Sequence, residues 1–101
     1  MKLEISDKAL TDLREIWDYI AERDESAADR VIDDILVALQ KLLLMPDLGR
    51  MRDDLLPEMR SLVARRPYLA FYRVQEDRVQ IIRVLHGMRD LEHVFEEETD
   101  E

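Results

Sequence analysis

The 101-residue sequence has no cysteine, two glycines and three prolines. Without cysteine there is no disulfide, no thiol nucleophile and no cysteine-held zinc. Two isolated glycines, Gly49 and Gly87, cannot build a glycine-rich phosphate loop. The two histidines, His86 and His93, stand seven residues apart without a convincing set of carboxylates beside them. No metal site and no other cofactor is therefore expected. No apolar run approaches the roughly 18 residues of a membrane span. The N-terminus shows no basic segment leading into an apolar one, as a secretory signal would. The expectation is a cytoplasmic protein that does not engage a membrane.

Charge is what the sequence has in abundance. Charged residues make up 39% of it and the formal net charge is −9. The distribution is uneven. Residues 1–56 carry 8 basic and 14 acidic side chains, residues 57–93 carry 7 and 5, and residues 94–101 carry none and 5. A mildly basic region thus lies between two acidic ones. The overall sign argues against a protein that grips nucleic-acid phosphates by itself.

A chain of this length supports one core. Lys2 to Ile5 alternates like a short strand. Ser6 has the chemistry of an N-cap. Ala9, Leu10, Leu13, Ile16, Trp17, Ile20 and Ala21 then form one apolar helical stripe, with Asp12, Arg14, Glu15, Asp18 and Glu22 assigned to the solvated side. Trp17 is expected in the core and Tyr19 at its rim. Ser26 and Asp29 resemble a capping box for a second helix, carried by Ala27, Ala28, Val31, Ile32, Ile35, Leu36, Leu39, Leu42 and Leu43 and ended near Pro46. The short link implies an antiparallel helical hairpin.

Pro46 to Pro57 is expected to be a loop. Strands follow at Met59–Ala64, Tyr68–Val74 and Val79–Leu85, the last two joined as a hairpin through Gln75–Arg78. Strict alternation sets Tyr68, Ala70, Tyr72 and Val74 against Leu69, Phe71 and Arg73. It likewise sets Val79, Ile81, Arg83 and Leu85 against Gln80, Ile82, Val84 and His86. Neither strand has a fully polar face, and the helices cover only one side. The other must be covered by the C-terminal segment, by a partner, or by both. Leu91, Val94 and Phe95 fit a short final helix or docked segment. The predicted fold class is α+β, ordered β-α-α-β-β-β, with the helical hairpin on one face of a small, mostly antiparallel sheet. Residues 1–95 form the domain and 96–101 an acidic tail expected to fray.

The stretch Ile82-Arg83-Val84-Leu85-His86-Gly87-Met88-Arg89-Asp90 carries the most information. A strand accounts for its apolar positions but not for the polar residues at its end. Residues there have structural explanations too. Arg83 can pair with Asp90 or with a helix carboxylate. His86-Gly87 can be a turn in which glycine supplies a positive φ. Asp90 can cap the last segment.

This stretch, with Asp12-Leu13-Arg14-Glu15-Ile16-Trp17-Asp18-Tyr19-Ile20-Ala21, Ala27-Ala28-Asp29-Arg30, Pro46-Asp47-Leu48-Gly49-Arg50 and Tyr68-Leu69-Ala70-Phe71-Tyr72-Arg73-Val74, resembles the RelE/ParE superfamily of bacterial toxins. The ParE branch is the better match, and the similarity runs from about residue 2 to 93. The resemblance implies the toxin of a type II toxin–antitoxin pair, held inactive in a hetero-oligomer with a cognate antitoxin such as a ParD-like protein. It implies DNA gyrase as the target of the ParE branch, and messenger RNA on the ribosome for the RelE branch. In either case DNA would be reached only through the antitoxin.

The two branches need different residues. Metal-free RNA cleavage requires a base, an acid, and cations for the developing phosphorane charge. The candidates are Arg60, Arg83 and His86, with Tyr68 or Tyr72 if they share a face. For inhibitory binding the candidate surface is Arg83, His86 and Arg89, then Arg60 and Tyr72. The acidic C-terminus would repel RNA, so the sequence favours a ParE-like inhibitor of gyrase over an enzyme. The alternatives are a ribosome-dependent endonuclease and a regulatory remnant that only binds an antitoxin-like partner.

Overall fold

The computed structural model describes residues 1–99. The order is β1 (Lys2–Ile5), α1 (Asp7–Ala21), α2 (Glu25–Lys41), β2 (Arg50–Met51), β3 (Arg60–Arg65), β4 (Tyr68–Gln75), β5 (Arg78–His86) and α3 (Leu91–Thr99). The strands form one sheet in the order β1-β5-β4-β3-β2. Only β1 runs parallel to its neighbour, β5. The α+β fold is the expected one, with β2 added inside the loop after α2. Two residues are too few for strand periodicity to reveal.

Ser6 organises the first corner. Its hydroxyl oxygen accepts the Ala9 N–H at 3.1 Å, capping α1, and donates to the Ile82 carbonyl of β5 at 2.8 Å. The second helix starts earlier than the Ser26 signal suggested. Asp24 is its N-cap, accepting the Ala27 N–H at 3.0 Å. A carboxylate there satisfies a free N–H and also faces the positive end of the helix dipole. Trp17 is half-buried rather than core, and its indole N–H donates to Asp29 at 2.8 Å across the hairpin.

The main core lies between the hairpin and one face of the sheet. Leu13, Ile35, Leu39 and Leu42 meet Tyr68, Ala70, Tyr72 and Ile81 there. The opposite face has its own smaller core, in which Phe95 and Val94 of α3 join Leu56 and Met59 over Phe71 and Leu85. The Phe71 and Phe95 rings meet edge to face at 5.0 Å. The C-terminal segment is thus a cover for the second face. The acidic tail expected at residues 96–101 overlaps α3, which is helical to Thr99; residues 100 and 101 lie outside the described residues.

Strict alternation fails once, on β5. Phe71 of β4 pairs with Arg83 but Tyr72 pairs with Ile81, so Ile82 is an extra residue in a bulge. A bulge of one residue exchanges the faces beyond it. Val79 and Ile81 face the helices before it, and Val84 does so after it; Leu85 turns to the α3 side. Val84, not Leu85, therefore completes the main core.

Candidate functional site

The end of β5 opens into a cleft of about 500 Å³ between α1 and the start of β4. Asp12, Glu15, Ile16 and Tyr19 line it from α1, Pro67 and Tyr68 from β4 and its turn, and Val84, His86 and Arg89 from β5 and beyond. The Gly87 N–H donates to the Pro67 carbonyl at 2.8 Å and fixes the two turns together. His86 lies edge-on to Tyr68, with ring centroids 5.6 Å apart and planes at 85°. Its Nδ1 accepts the Met88 N–H at 3.0 Å, which places the proton of the neutral ring on Nε2. Burial raises the Tyr68 phenol above its ordinary pKa, reinforced by Tyr19 and opposed by Arg65. Among the described residues the Arg89 side chain has no hydrogen-bond or ion-pair partner, and Tyr19 is 74% exposed.

Arg83 is held below this cleft. Its Nε and Nη2 each donate to Asp12 at 2.8 Å in a bidentate pair. The same carboxylate accepts the Val84 N–H at 2.9 Å. Asp12 is 6% exposed, so its placement on the solvated side of α1 is corrected. The reason is the end of β1. Beyond Ile5 the β5 edge has no neighbouring strand, and Asp12 supplies the acceptor that β1 would have supplied. Residue polarity suggested solvent, but helical spacing was the available signal: Asp12 lies three residues after Ala9 and four before Ile16, on the buried side of α1.

The structure separates the remaining candidates. Arg60 pairs with Tyr72 on β3–β4, four residues along β4 from the Tyr68–His86 pair. At the usual rise per strand residue that is about 13 Å. Arg60 donates to the Gly49 and Asp47 carbonyls at 2.7 and 3.3 Å and lies 3.5 Å from the Asp47 carboxylate. Tyr72 is fully buried, so it presents no surface to a target. Its hydroxyl donates to the Pro46 carbonyl and accepts the Gly49 N–H, both at 2.8 Å. Burial raises its pKa, with the Gly49 hydrogen bond and the Arg60 charge opposing and Asp47 adding to the rise. Arg60 and Tyr72 together clamp the loop that leads into β2.

Gly49 is part of this clamp. A Cβ there would stand 2.6 Å from the Tyr72 hydroxyl and 2.8 Å from the Ser61 carbonyl. Gly87 is different from expectation: no glycine has a positive φ, and a Cβ on it would make contacts of 3.4 Å and longer. Its turn is set by hydrogen bonds. Among the described residues no cluster of His, Asp and Glu could hold a metal ion, and no helix is long and apolar enough to cross a membrane.

The assembled cleft thus contains one imidazole, one unpaired guanidinium and two phenols over an apolar floor. It can receive a side chain and an anion. Its second cation, Arg83, is already neutralised by Asp12.

Known proteins resemble this chain in sequence and in fold. The family model for the ParE toxin of the type II toxin–antitoxin system parDE matches residues 3–91. Toxin RelE3 of Caulobacter vibrioides is 34% identical over 86 residues, covering 85% of this chain and 94% of that protein. Toxin ParE1 of Mycobacterium tuberculosis is 32% identical over 90 residues, covering 87% and 91%. A chain from the chromosomal ParDE system of P. aeruginosa superposes with a TM-score of 0.74 at 30% identity, over 85% of this chain and 95% of that one. From the match over nearly its whole length, this chain belongs to the ParE toxin family of type II toxin–antitoxin systems.

Proposed function

We infer that this toxin acts by inhibitory binding, with DNA gyrase as its target, and that a cognate antitoxin neutralises it in a hetero-oligomer. The toxin works in the cytoplasm and reaches DNA only through the antitoxin. The gyrase target follows the resemblance to the ParE branch. Inhibition over catalysis is supported chiefly by the state of Arg83. Its bidentate bonds to Asp12 take up the guanidinium that a phosphorane would need. Arg60, the other candidate clamp, is fastened to the Asp47–Gly49 loop. That leaves Arg89 beside His86, in a chain of net charge −9. Stabilising a phosphorane takes several positioned donors, whereas recognition of a protein surface needs only a shaped patch with a few anchors.

The family also has a RelE-named relative of similar identity. Cleavage of messenger RNA is therefore the outcome to test against. Controlled expression in a bacterial host, followed by trapping of gyrase–DNA cleavage complexes and by mapping of mRNA ends, separates the two. Gyrase complexes without ribosome-dependent cuts are expected. The substitution His86→Ala should reduce them while the circular dichroism spectrum stays native. Ribosome-dependent cuts with no gyrase complexes would overturn the reading. Absence of any growth defect would overturn it too, in favour of a regulatory remnant.

A further inference from the structure

We propose that the apolar ridge over residues 37–51, away from the cleft, is a self-association surface. A second copy of this chain docks on it about a two-fold axis at Leu44.

Large apolar side chains on a protein surface are normally scattered singly. Here they gather. Five of the eleven that are exposed among the described residues are Val37, Leu44, Met45, Leu48 and Met51. Leu44 is 87% exposed and the other four about half. Val37, Lys41 and Leu44 follow one another at helical spacing on the outward side of α2, opposite the buried Ile35, Leu39 and Leu42. The chain keeps turning where the helix ends. The Leu44 and Met45 N–H groups donate to the Lys41 carbonyl at 3.1 and 3.0 Å, and the Leu48 N–H donates to the Met45 carbonyl at 3.1 Å. Met51 comes next, on β2 beside Arg60. The clamp of Tyr72 and Arg60 lies underneath and holds the Pro46, Asp47 and Gly49 main chain. A loop fixed in this way loses little freedom when a partner covers it.

Charge and area specify a second copy as the occupant. The net charge of −9 makes most of the surface repel another copy. Residues 35–51 differ, with two basic side chains, Lys41 and Arg50, and one acidic, Asp47. Lys41 precedes Leu44 by three residues and Asp47 follows it by three. A two-fold axis at Leu44 sets that residue against itself and each Lys41 towards the Asp47 of the other copy. Asp47 is accessible for this: its side chain is 87% exposed and only 3.5 Å contact to Arg60 holds it. At ordinary side-chain areas the five exposed residues present roughly 500 Å² of apolar surface, in the upper part of the range for the largest patch on a monomer. With the polar rim usual for a homodimer this becomes about 800 Å² per copy, the size of a standard interface. The ridge adjoins the Arg60–Tyr72 pair, about 13 Å along β4 from the Tyr68–His86 pair. A dimer formed here therefore keeps both clefts open.

Sedimentation velocity of the purified toxin from about 1 to 100 µM reads the self-association, and a reversible monomer–dimer equilibrium is expected in that range. Leu44→Asp should weaken it about tenfold or more. Leu10→Asp, at an exposed apolar position of α1 outside the ridge, should leave it unchanged. Lys41→Glu and Asp47→Lys should each weaken it about tenfold, because each sets like charges together twice. An equimolar mixture of those two variants should form mixed dimers of wild-type strength, since both pairs are then restored with their signs exchanged. Should Leu44→Asp lose the native circular dichroism spectrum, the charge exchange decides alone. A toxin that stays monomeric at about 100 µM, equal losses in Leu10→Asp and Leu44→Asp, or a mixture no more associated than its components would overturn the proposal. So would a monomeric toxin in which Leu44→Asp weakens the cognate antitoxin instead, which would give the ridge to that partner. Gyrase plays no part in these measurements, so the target reading stands or falls separately.

Discussion

Removing the Asp12 carboxylate should cost as much stability as truncating a core residue, although Asp12 is the one buried charged residue of α1. In Asp12→Ala the Arg83 guanidinium loses two bonds of 2.8 Å and the Val84 N–H loses one of 2.9 Å. Breaking a buried pair by deleting one partner costs about 3–5 kcal/mol, because the other charge is left uncompensated. The Arg83 side chain is 16% exposed. Water can reach part of it, which brings the expected loss to about 2–4 kcal/mol. The orphaned Val84 N–H adds about 1 kcal/mol or more. A total of about 3–5 kcal/mol is a large share of the roughly 5–15 kcal/mol that holds a domain of this kind. With a urea m-value of about 1.5 kcal/mol/M, the midpoint should fall by about 2–3 M. Urea unfolding can be followed through Trp17, the single tryptophan. The control is Asp12→Leu combined with Arg83→Met. It removes both charges, and it should recover about half of the loss or more, since paired apolar replacements are often neutral. The amide left at Val84 keeps the recovery incomplete. A fall below about 1 kcal/mol in Asp12→Ala, or a double variant no more stable than the single one, would refute the account of Arg83 as a buried, neutralised cation.

Two further perturbations test the clamp on the other side of the sheet. Tyr72→Phe removes a buried hydroxyl with two bonds of 2.8 Å, to Pro46 and from Gly49. It should cost about 1–3 kcal/mol in chemical unfolding near neutral pH. The same tyrosine sets an alkaline limit. Its folded-state pKa is raised, so the stability it contributes is complete below the unfolded value near 10 and is lost as pH rises through the folded one. Tyr72→Phe should therefore flatten the fall in stability above about pH 10, with Tyr68 leaving a residual slope. An alkaline limb of unchanged steepness would count against this assignment. The glycines should respond in opposite ways. Gly49→Ala forces a Cβ to 2.8 Å from the Ser61 backbone oxygen and should cost about 1–3 kcal/mol or more. Gly87→Ala meets only ordinary contacts and has no positive φ, so it should be neutral or gain up to about 1 kcal/mol. Thermal melts of the two variants give the comparison, and equal shifts would contradict it.

The sequence by itself determined the elements and their order, apart from the two-residue β2. The apolar stripe from Ala9 to Ala21 and the one from Ala28 to Leu42 specify two amphipathic helices, because burial repeats every three to four residues along a helix. Tyr68 to Val74 specifies a strand in the same way, with Tyr68, Ala70 and Tyr72 correctly on one face. The uncovered face of the sheet was also legible, and Val94 and Phe95 were its visible complement. The family was legible in the order of the motifs.

Tertiary structure decided the rest, because the rest depends on residues far apart in the chain. Asp12 and Arg83 meet across a separation of 71 residues, at an edge that exists only because β1 ends at Ile5. The extra residue at Ile82 has no pattern of its own; it is visible only against the register of β4. That single residue exchanges Val84 and Leu85 between the two faces. Tyr72 and Arg60 looked like chemistry in the sequence because both are polar and near other cations, yet the loop after α2 folds back onto them and takes their hydrogen bonds. His86 and Arg89 were grouped correctly by their closeness in sequence. Their setting was decided elsewhere: Tyr19 and Ile16 come from α1, and the β5 edge that Asp12 takes beside them is left by the end of β1. Local periodicity fixes which residues face inward, whereas a site at a strand end is made by whichever distant element stops short or reaches across.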